Sequence, residues 1–93
     1  SALVKGQDTF AAAGQPLPNY EVPVPKDSPL IGKSIGELKF WQSTGGTIVA
    51  IRRGQTVILS PGPYAELYSG DVIILVGSPS AAEAAHRLVT TKE

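Results

Sequence analysis

The sequence predicts an α+β fold: a small sheet of mainly antiparallel strands with two helices, in the order β-α-β-β-β-α. Three observations lead to this prediction. Between residues 45 and 77, three apolar, β-branched runs are separated by short segments rich in Gly, Pro and Asp, which is the pattern of consecutive strands. Ser34 and Glu37 have the S-x-x-E spacing of a helix capping box. Ser78 followed by Pro79 is typical of the start of a second helix.

The three apolar runs define most of the predicted sheet. They cover residues 47–52, 55–60 and 71–76. Arg53 and Gly54 form a tight connection between the first two, so we expect a β-hairpin there. The third run is apolar at every position from Val72 to Val76, which favours a central strand covered on both faces.

The chain before residue 26 is less regular. Residues 19–25 alternate between apolar and other residues, which predicts a strand. Because Pro23 cannot donate to the ladder, we expect an edge strand or an irregular one. Residues 1–18 contain two prolines, and Gly6 and Gly14 weaken a possible short helix over residues 2–13. We therefore predict a linker, or the tail of a preceding element, at residues 1–18, and a domain over residues 19–93.

Two helices complete the predicted fold. The first is placed at residues 35–42, with Ile35, Leu38 and Trp41 packed on the sheet. The second runs over residues 79–89 and has an apolar stripe on one side. This stripe consists of Ala81, Ala85, Leu88 and Val89.

Composition and charge narrow the class of protein. Ninety-three residues make one domain, and eight basic residues balance eight acidic ones. This balance predicts that nucleic acid is not a partner.

The longest apolar run is about five residues, against about 20 needed to span a bilayer. The absence of cysteine suits a cytosolic protein. The chain begins with Ser1, which predicts a fragment or a processed chain.

The sequence predicts neither a catalytic site nor a metal site. The acidic residues are scattered, with no metal-ligand or paired-carboxylate spacing, and the glycines form no phosphate-binding motif. The one histidine, His86, lies near the end of the last predicted helix, where an exposed or capping role is expected. We therefore expect a protein that is not an enzyme and has no resident cofactor.

Three features are candidates for binding. Arg52 and Arg53 lie side by side at the predicted hairpin tip and could hold a phosphate or carboxylate; the alternative is a solvated turn that protects the sheet edge. Residues 60–64 form a rigid, proline-rich loop beside the hairpin, which is a candidate for binding. The alternative is a strand-to-strand crossover in which Tyr64 packs over the sheet edge. Trp41 is a core or interface anchor, or a base-stacking platform.

Four segments, taken in order, resemble the TrkA-C or RCK_C family, the C-terminal regulatory domain of K⁺ transport proteins. They are residues 29–38, 46–54, 59–63 and 67–77, and the resemblance extends over residues 19–89. It implies an α+β domain that forms a homodimer through its sheet and helices. It also implies a cytosolic module that gates a membrane-embedded channel, a Ktr/Trk-type transporter or a Kef-type cation/proton antiporter. The expected location is therefore the cytoplasmic side of the cell membrane.

The resemblance also implies a ligand site at the dimer interface, for which cyclic di-AMP is one candidate. The corresponding positions are Trp41, Thr47, Ile48, Ser60 and Pro61. Members that bind cyclic di-AMP tend to have Arg and Asn where this chain has Trp41 and Thr47. Here Trp41 would stack on a base, and Arg52 or Arg53 would supply charge. Another small anion or nucleotide, or no ligand at all, remain alternatives. So does a non-sensing structural or adaptor module of another membrane transporter, for example one for organic anions.

Overall fold

The architecture is that of a five-stranded antiparallel sheet with helices packed on one face. This computed structural model describes residues 4–12 and 15–91, with side chains over residues 18–91. The strands are β1 (Val4–Ala12), β2 (Gln15–Pro23), β3 (Thr47–Arg53), β4 (Thr56–Leu59) and β5 (Val72–Val76). The helices are α1 (Ile35–Leu38), α2 (Phe40–Thr44) and α3 (Pro79–Thr90). The predicted α+β class is confirmed.

The sheet has the strand order β1-β2-β5-β3-β4, and every neighbouring pair is antiparallel. The prediction that residues 71–76 form a central strand is confirmed, because β5 lies between β2 and β3. The predicted hairpin is also present, although its turn is one residue further on than expected. Arg53 pairs with Thr56, so the two-residue turn is Gly54 and Gln55, and Gly54 takes the positive φ of 60° that glycine tolerates.

The prediction for residues 1–18 is a linker or the tail of a preceding element. Residues 1–3 and 13–14 lie outside the described residues, and the described ones form strands rather than a linker. The domain boundary at residue 19 stays a prediction. Within the described residues, β1 and the first part of β2 occupy this segment and pair with each other. The strand predicted at residues 19–25 is part of β2. Of the two alternatives for it, an edge strand or an irregular one, the edge strand is wrong, since β2 is flanked by both β1 and β5. The pairing with β5 continues beyond Pro23, because Val24 N–H donates to Asp71 O at 2.8 Å. Successive N–H groups of a strand point to opposite sides, so the missing donor of Pro23 faces away from β5 and interrupts no bond to it.

The helix predicted over residues 35–42 is two short helices, α1 and α2, with Lys39 between them. Lys39 has φ 49° and ψ 53°, a left-handed conformation that ends α1. The capping box at the start of α1 is confirmed: Glu37 N–H donates to Ser34 Oγ at 3.2 Å, and Ser34 N–H donates to Glu37 Oε2 at 3.0 Å. The second predicted helix is confirmed as α3, with Ser78 as its N-cap.

The core lies between α3 and one face of the sheet. Ile73 and Leu75 of β5 are fully buried on this face, and Ala85 and Val89 of α3 pack against it. The alternate residues of β5 point to the opposite face and are only half-buried. The expectation that β5 is covered on both faces therefore holds fully for the helical side alone.

Candidate functional site

The connection from β4 to β5, residues 60–71, is called the crossover below. Its middle part runs antiparallel to the segment that enters α1. Gly32 N–H donates to Leu67 O at 2.8 Å, Leu67 N–H to Lys33 O at 3.1 Å, and Ile35 N–H to Ala65 O at 2.9 Å. These bonds are called the crossover ladder. Because three backbone groups are paired in register, the ladder fixes the crossover relative to the start of α1.

The crossover begins with a rigid turn, residues 60–63, which is called the proline turn. Ser60 adopts a positive φ of 47° and donates its N–H to Val49 O at 2.9 Å. Pro61 and Pro63 restrict the backbone that follows. A non-glycine residue with positive φ costs about 1–2 kcal/mol, so the surrounding contacts must hold Ser60 in place.

The proline turn also contacts α1 at close range. Gly36 N–H donates to Pro63 O at 2.7 Å. A Cβ added at Gly36 would lie 2.9 Å from Pro63 Cβ and 2.9 Å from Pro63 O, so the backbones approach only because residue 36 has no side chain. Tyr64, by contrast, is 91% exposed, and the expectation that it packs over the sheet edge is wrong.

Arg53 is held in an internal cluster with the far end of the crossover. Its Nε donates to Asp71 Oδ1 at 2.8 Å, and its Nη2 donates to Asp71 Oδ2 at 2.9 Å and to Glu66 O at 3.0 Å. The guanidinium lies 4.2 Å above the centre of the Tyr68 ring. Asp71 also accepts the Tyr68 N–H at 2.9 Å. A bidentate arginine–carboxylate pair of this kind is among the strongest hydrogen-bonded contacts that an ionised carboxylate makes.

Burial shapes the electrostatics of Asp71, which has no exposed surface. Burial by itself would raise the pKa of this carboxyl. The hydrogen bonds from Arg53 and from the Tyr68 N–H, together with the charge of Arg53, outweigh burial and lower the pKa of Asp71 below its ordinary value. The hydrogen bond to Asp71 likewise raises the pKa of Arg53. The pair is therefore charged across the physiological range.

Arg52 and Arg53 do not act side by side as expected. Successive strand residues point to opposite faces, and Arg52 pairs with Glu21 on the face away from α3, with Nη2 and Oε1 3.1 Å apart. Both side chains of that pair are partly exposed, at 41% and 31%. Each arginine thus already has a carboxylate partner within the domain.

The predicted site residues fall into two groups at opposite ends of β3. Thr47 and Ile48 begin this strand, and Ser60 lies opposite Val49, so these positions are close to the proline turn. Arg52 lies five residues beyond Thr47 in β3, which is roughly 17 Å at about 3.4 Å per residue. The structure therefore brings together Thr47, Ile48, Ser60 and Pro61, and leaves both arginines at the other end.

Trp41 is placed in α2, which leads directly into β3. It is 65% exposed, whereas its neighbour Phe40 is buried at 3%. The expectation that Trp41 packs on the sheet or in the core is therefore wrong, and the buried aromatic residue of α2 is Phe40. An indole with this much exposed surface is suited to stacking on a ligand or a partner. Two further predicted site residues lie at the start of β3: Thr47 is exposed and Ile48 is half-buried.

Four further large apolar side chains are exposed. Val57 and Leu59 lie on the same face of β4. Val57 is 55% exposed and Leu59 is 75% exposed. These two residues are called the β4 edge. β4 is the last strand of the sheet, and none of its four residues is charged or proline. Tyr64 and Tyr68 belong to the crossover. An apolar, unprotected sheet edge is typical of a surface that pairs with another chain.

A separate open groove of about 520 Å³ lies between the segment entering α1 and the end of α3. It is lined by Pro29, Leu30, Lys33, Leu38, Leu88 and Thr91, and none of the predicted site residues belongs to it. His86 is half-buried in α3 rather than exposed. The described residues contain no group of three or more metal-ligand side chains and no helix long and apolar enough to cross a membrane. That the chain is not an enzyme stays a prediction.

The fold is that of a small α+β domain. The TrkA-C domain model matches residues 19–90, so the chain belongs to the TrkA-C (RCK_C) family, and the predicted resemblance is confirmed. Among curated proteins it is 29% identical over 72 residues to the ammonium/H⁺ antiporter subunit AmhM of Alkalihalophilus pseudofirmus. The matched part covers 77% of this chain and 43% of AmhM, so the chain spans less than half the length of this relative.

Solved structures give a finer picture of the relatives. The RCK_C domain dimer of S. agalactiae BusR in complex with c-di-AMP is 40% identical, with a TM-score of 0.74, covering 80% of this chain and 97% of that one. The KtrA RCK_C domain in complex with c-di-AMP is 29% identical, with a TM-score of 0.67, covering 74% of this chain and 79% of that one.

One prediction about partners is overturned by these relatives. BusR in complex with its busA-promoter DNA is 38% identical, with a TM-score of 0.76, covering 92% of this chain and 43% of that one. A second BusR complex holds the busAB promoter DNA. The prediction that nucleic acid is not a partner is therefore wrong as an inference from net charge. The composition of one domain does not report what the proteins that contain such domains bind.

Proposed function

We propose that this chain is a homodimeric regulatory domain of a monovalent-cation channel, transporter or antiporter, and that it binds cyclic di-AMP where two copies meet. The observation that carries the proposal is the similarity to the BusR RCK_C domain dimer bound to c-di-AMP, at 40% identity over 97% of that chain. The similarity to KtrA and to an antiporter subunit supports a transport protein as the parent. Its location would be the cytoplasmic side of the membrane.

The geometry around the proline turn supports a nucleotide ligand. Trp41 offers an exposed aromatic face, and stacking of a base on such a face contributes about 1–3 kcal/mol. The Ser60 hydroxyl group and the rigid turn behind it lie at the same end of β3 as Thr47. Lys39 is exposed two residues before Trp41 and provides a cation for a phosphate at that end.

The β4 edge supports a second copy of the chain as the partner. Leu59 directly precedes the proline turn. A partner that covers the β4 edge therefore also approaches the predicted site residues at that turn, Ser60 and Pro61. A cyclic dinucleotide has two equivalent halves, which suits the two-fold axis of a homodimer. A ligand that prefers one arrangement of the two copies shifts the population towards it, and an attached gate responds to that shift.

Isothermal titration with cyclic di-AMP tests this proposal, with AMP and ATP as control ligands. We expect one cyclic di-AMP to bind per two chains, and we expect Trp41→Ala to weaken binding at least tenfold because the stacking surface is lost. Glu83→Gln, on the exposed side of α3, is the matched control and should bind as the wild type does. Absence of binding by the wild type would favour the alternative of a non-sensing structural module, or another small anion as ligand.

A sensory domain of a DNA-binding regulator is a second candidate function. It is favoured by the similarity to the BusR chains in complex with promoter DNA, of which this chain covers 42% and 43%. A mobility-shift experiment with the full-length gene product and the DNA upstream of its own gene distinguishes the two. A shift that cyclic di-AMP alters would support the regulator, and no shift would support the transport protein.

A further inference from the structure

We infer that Arg53 is a positioning residue for the proline turn: its ion pair with Asp71 fixes the crossover in register, without contact between Arg53 and the ligand. This inference rests on the proposed function and deepens it. It reverses the role that the sequence alone gave to Arg53, that of a cation for a ligand phosphate.

The first step is that the Nε and Nη2 donors of Arg53, whose side chain is 35% exposed, are engaged within the domain. Nε and Nη2 together donate to both carboxylate oxygens of Asp71 and to Glu66 O. One face of the guanidinium is covered by the ring of Tyr68. Its charge is matched by a carboxylate with no exposed surface. A phosphate ligand that approached Nε or Nη2 would therefore have to displace bonds that are already short and charge-assisted.

The second step is the connection from this cluster to the proline turn. Arg53 contacts the crossover at Glu66, Tyr68 and Asp71, which lie on both sides of Leu67. Leu67 is fully buried and belongs to the crossover ladder, both donating to Lys33 O and accepting from Gly32 N–H. The same ladder continues to Ala65 and then to Pro63, whose carbonyl accepts from Gly36 N–H. Arg53 thus holds the end of a paired segment that leads to the proline turn.

The experiment combines cyclic di-AMP titration with amide hydrogen exchange on four variants of the full chain. Arg53→Gln and Asp71→Asn each remove one partner, Arg53→Lys keeps the charge but not the two-pronged contact, and a double variant combines the first two. Arg87→Gln, which removes an exposed positive charge from α3, is the matched control. The exchange of the Gly36 and Leu67 amides is measured relative to amides of β5, so that local opening is separated from global unfolding.

We expect Arg53→Gln and Asp71→Asn each to weaken binding at least tenfold, and the double variant to be within threefold of either, because both break the same pair. Arg53→Lys should weaken binding at least threefold. In the same variants the Gly36 and Leu67 amides should exchange at least tenfold faster. If Asp71→Asn binds as tightly as the wild type, or more tightly, Arg53 contacts the ligand directly and the inference is wrong.

The exchange measurement keeps the two proposals separate. A wild-type chain that binds no cyclic di-AMP contradicts the proposed function, and the exchange rates then decide the positioning role alone. Unchanged exchange at Gly36 and Leu67 in Asp71→Asn would refute that role whatever the ligand does. If Arg53→Gln does not fold, the milder Arg53→Lys gives the same two readouts.

Discussion

The close approach of α1 to the proline turn gives a sharp prediction for Gly36→Ala. The new Cβ would lie 2.9 Å from both Pro63 Cβ and Pro63 O, whereas ordinary contact begins at 3.4 Å. One of the two backbones must therefore move by about 0.5 Å, the difference between these distances. Overpacking of this kind costs about 1–3 kcal/mol, and the better helix propensity of alanine returns about 0.5–1 kcal/mol. The difference is about 0–2.5 kcal/mol, and we expect a net loss of about 1 kcal/mol in the free energy of unfolding.

Gly62→Ala is the matched control, because it lies in the same turn and its added Cβ meets nothing within 4 Å. Urea unfolding followed by far-ultraviolet circular dichroism, at equal protein concentrations, measures both variants. Gly62→Ala should lie within about 0.5 kcal/mol of the wild type. If Gly36→Ala is as stable as Gly62→Ala, the contact between α1 and Pro63 is not as close as described. In that case α1 would not hold the proline turn in place.

Two further predictions concern the crossover. Because the pKa of Asp71 is lowered in the fold, the ion pair stabilises the chain above the unfolded-state pKa of about 3.9, and this stability is lost as the pH falls through the lowered value. The wild type should therefore lose more stability than Asp71→Asn between about pH 5 and pH 2, measured by urea unfolding; parallel losses would contradict this. Ser60→Val should destabilise the chain by about 1–2 kcal/mol, because a β-branched residue tolerates positive φ poorly. Ser60→Gly should cost less, and equal effects in thermal melts would argue against the left-handed turn.

The pattern of residues was sufficient for β3, β4, β5 and α3. Runs of β-branched residues and a capping serine before proline report local structure directly. It was insufficient for β1 and for the first part of β2, residues 15–18, where prolines and glycines suggested a linker or the tail of a preceding element. Their pairing is non-local, and a strand interrupted by Pro23 reads as an edge unless its neighbours are known.

The phase of α2 explains the error at Trp41. A continuous helix from Ile35 would place Trp41 on the same side as Leu38, facing the core. The left-handed Lys39 interrupts that phase, so Phe40 turns inward and Trp41 turns outward. A single residue with positive φ cannot be read from a lysine, which rarely adopts it.

The pairing of Arg53 with Asp71 left a signal in the sequence. Arg53 is two residues from the buried Ile51, and Asp71 is two residues from the buried Ile73. Alternation along a strand therefore places both charges on the core side, and two opposite charges there must pair. The same alternation separates Arg53 from Arg52, so a joint phosphate site was disfavoured from the start.

The mass of the chain in solution tests the central claim, a dimer that covers the β4 edge and binds cyclic di-AMP. Light scattering at micromolar concentration should give twice 9.7 kDa for the wild type, with and without cyclic di-AMP. Leu59→Glu places a charge on the β4 edge and should give a monomer, whereas Glu83→Gln should remain a dimer. A wild-type mass of 9.7 kDa under both conditions would contradict the account.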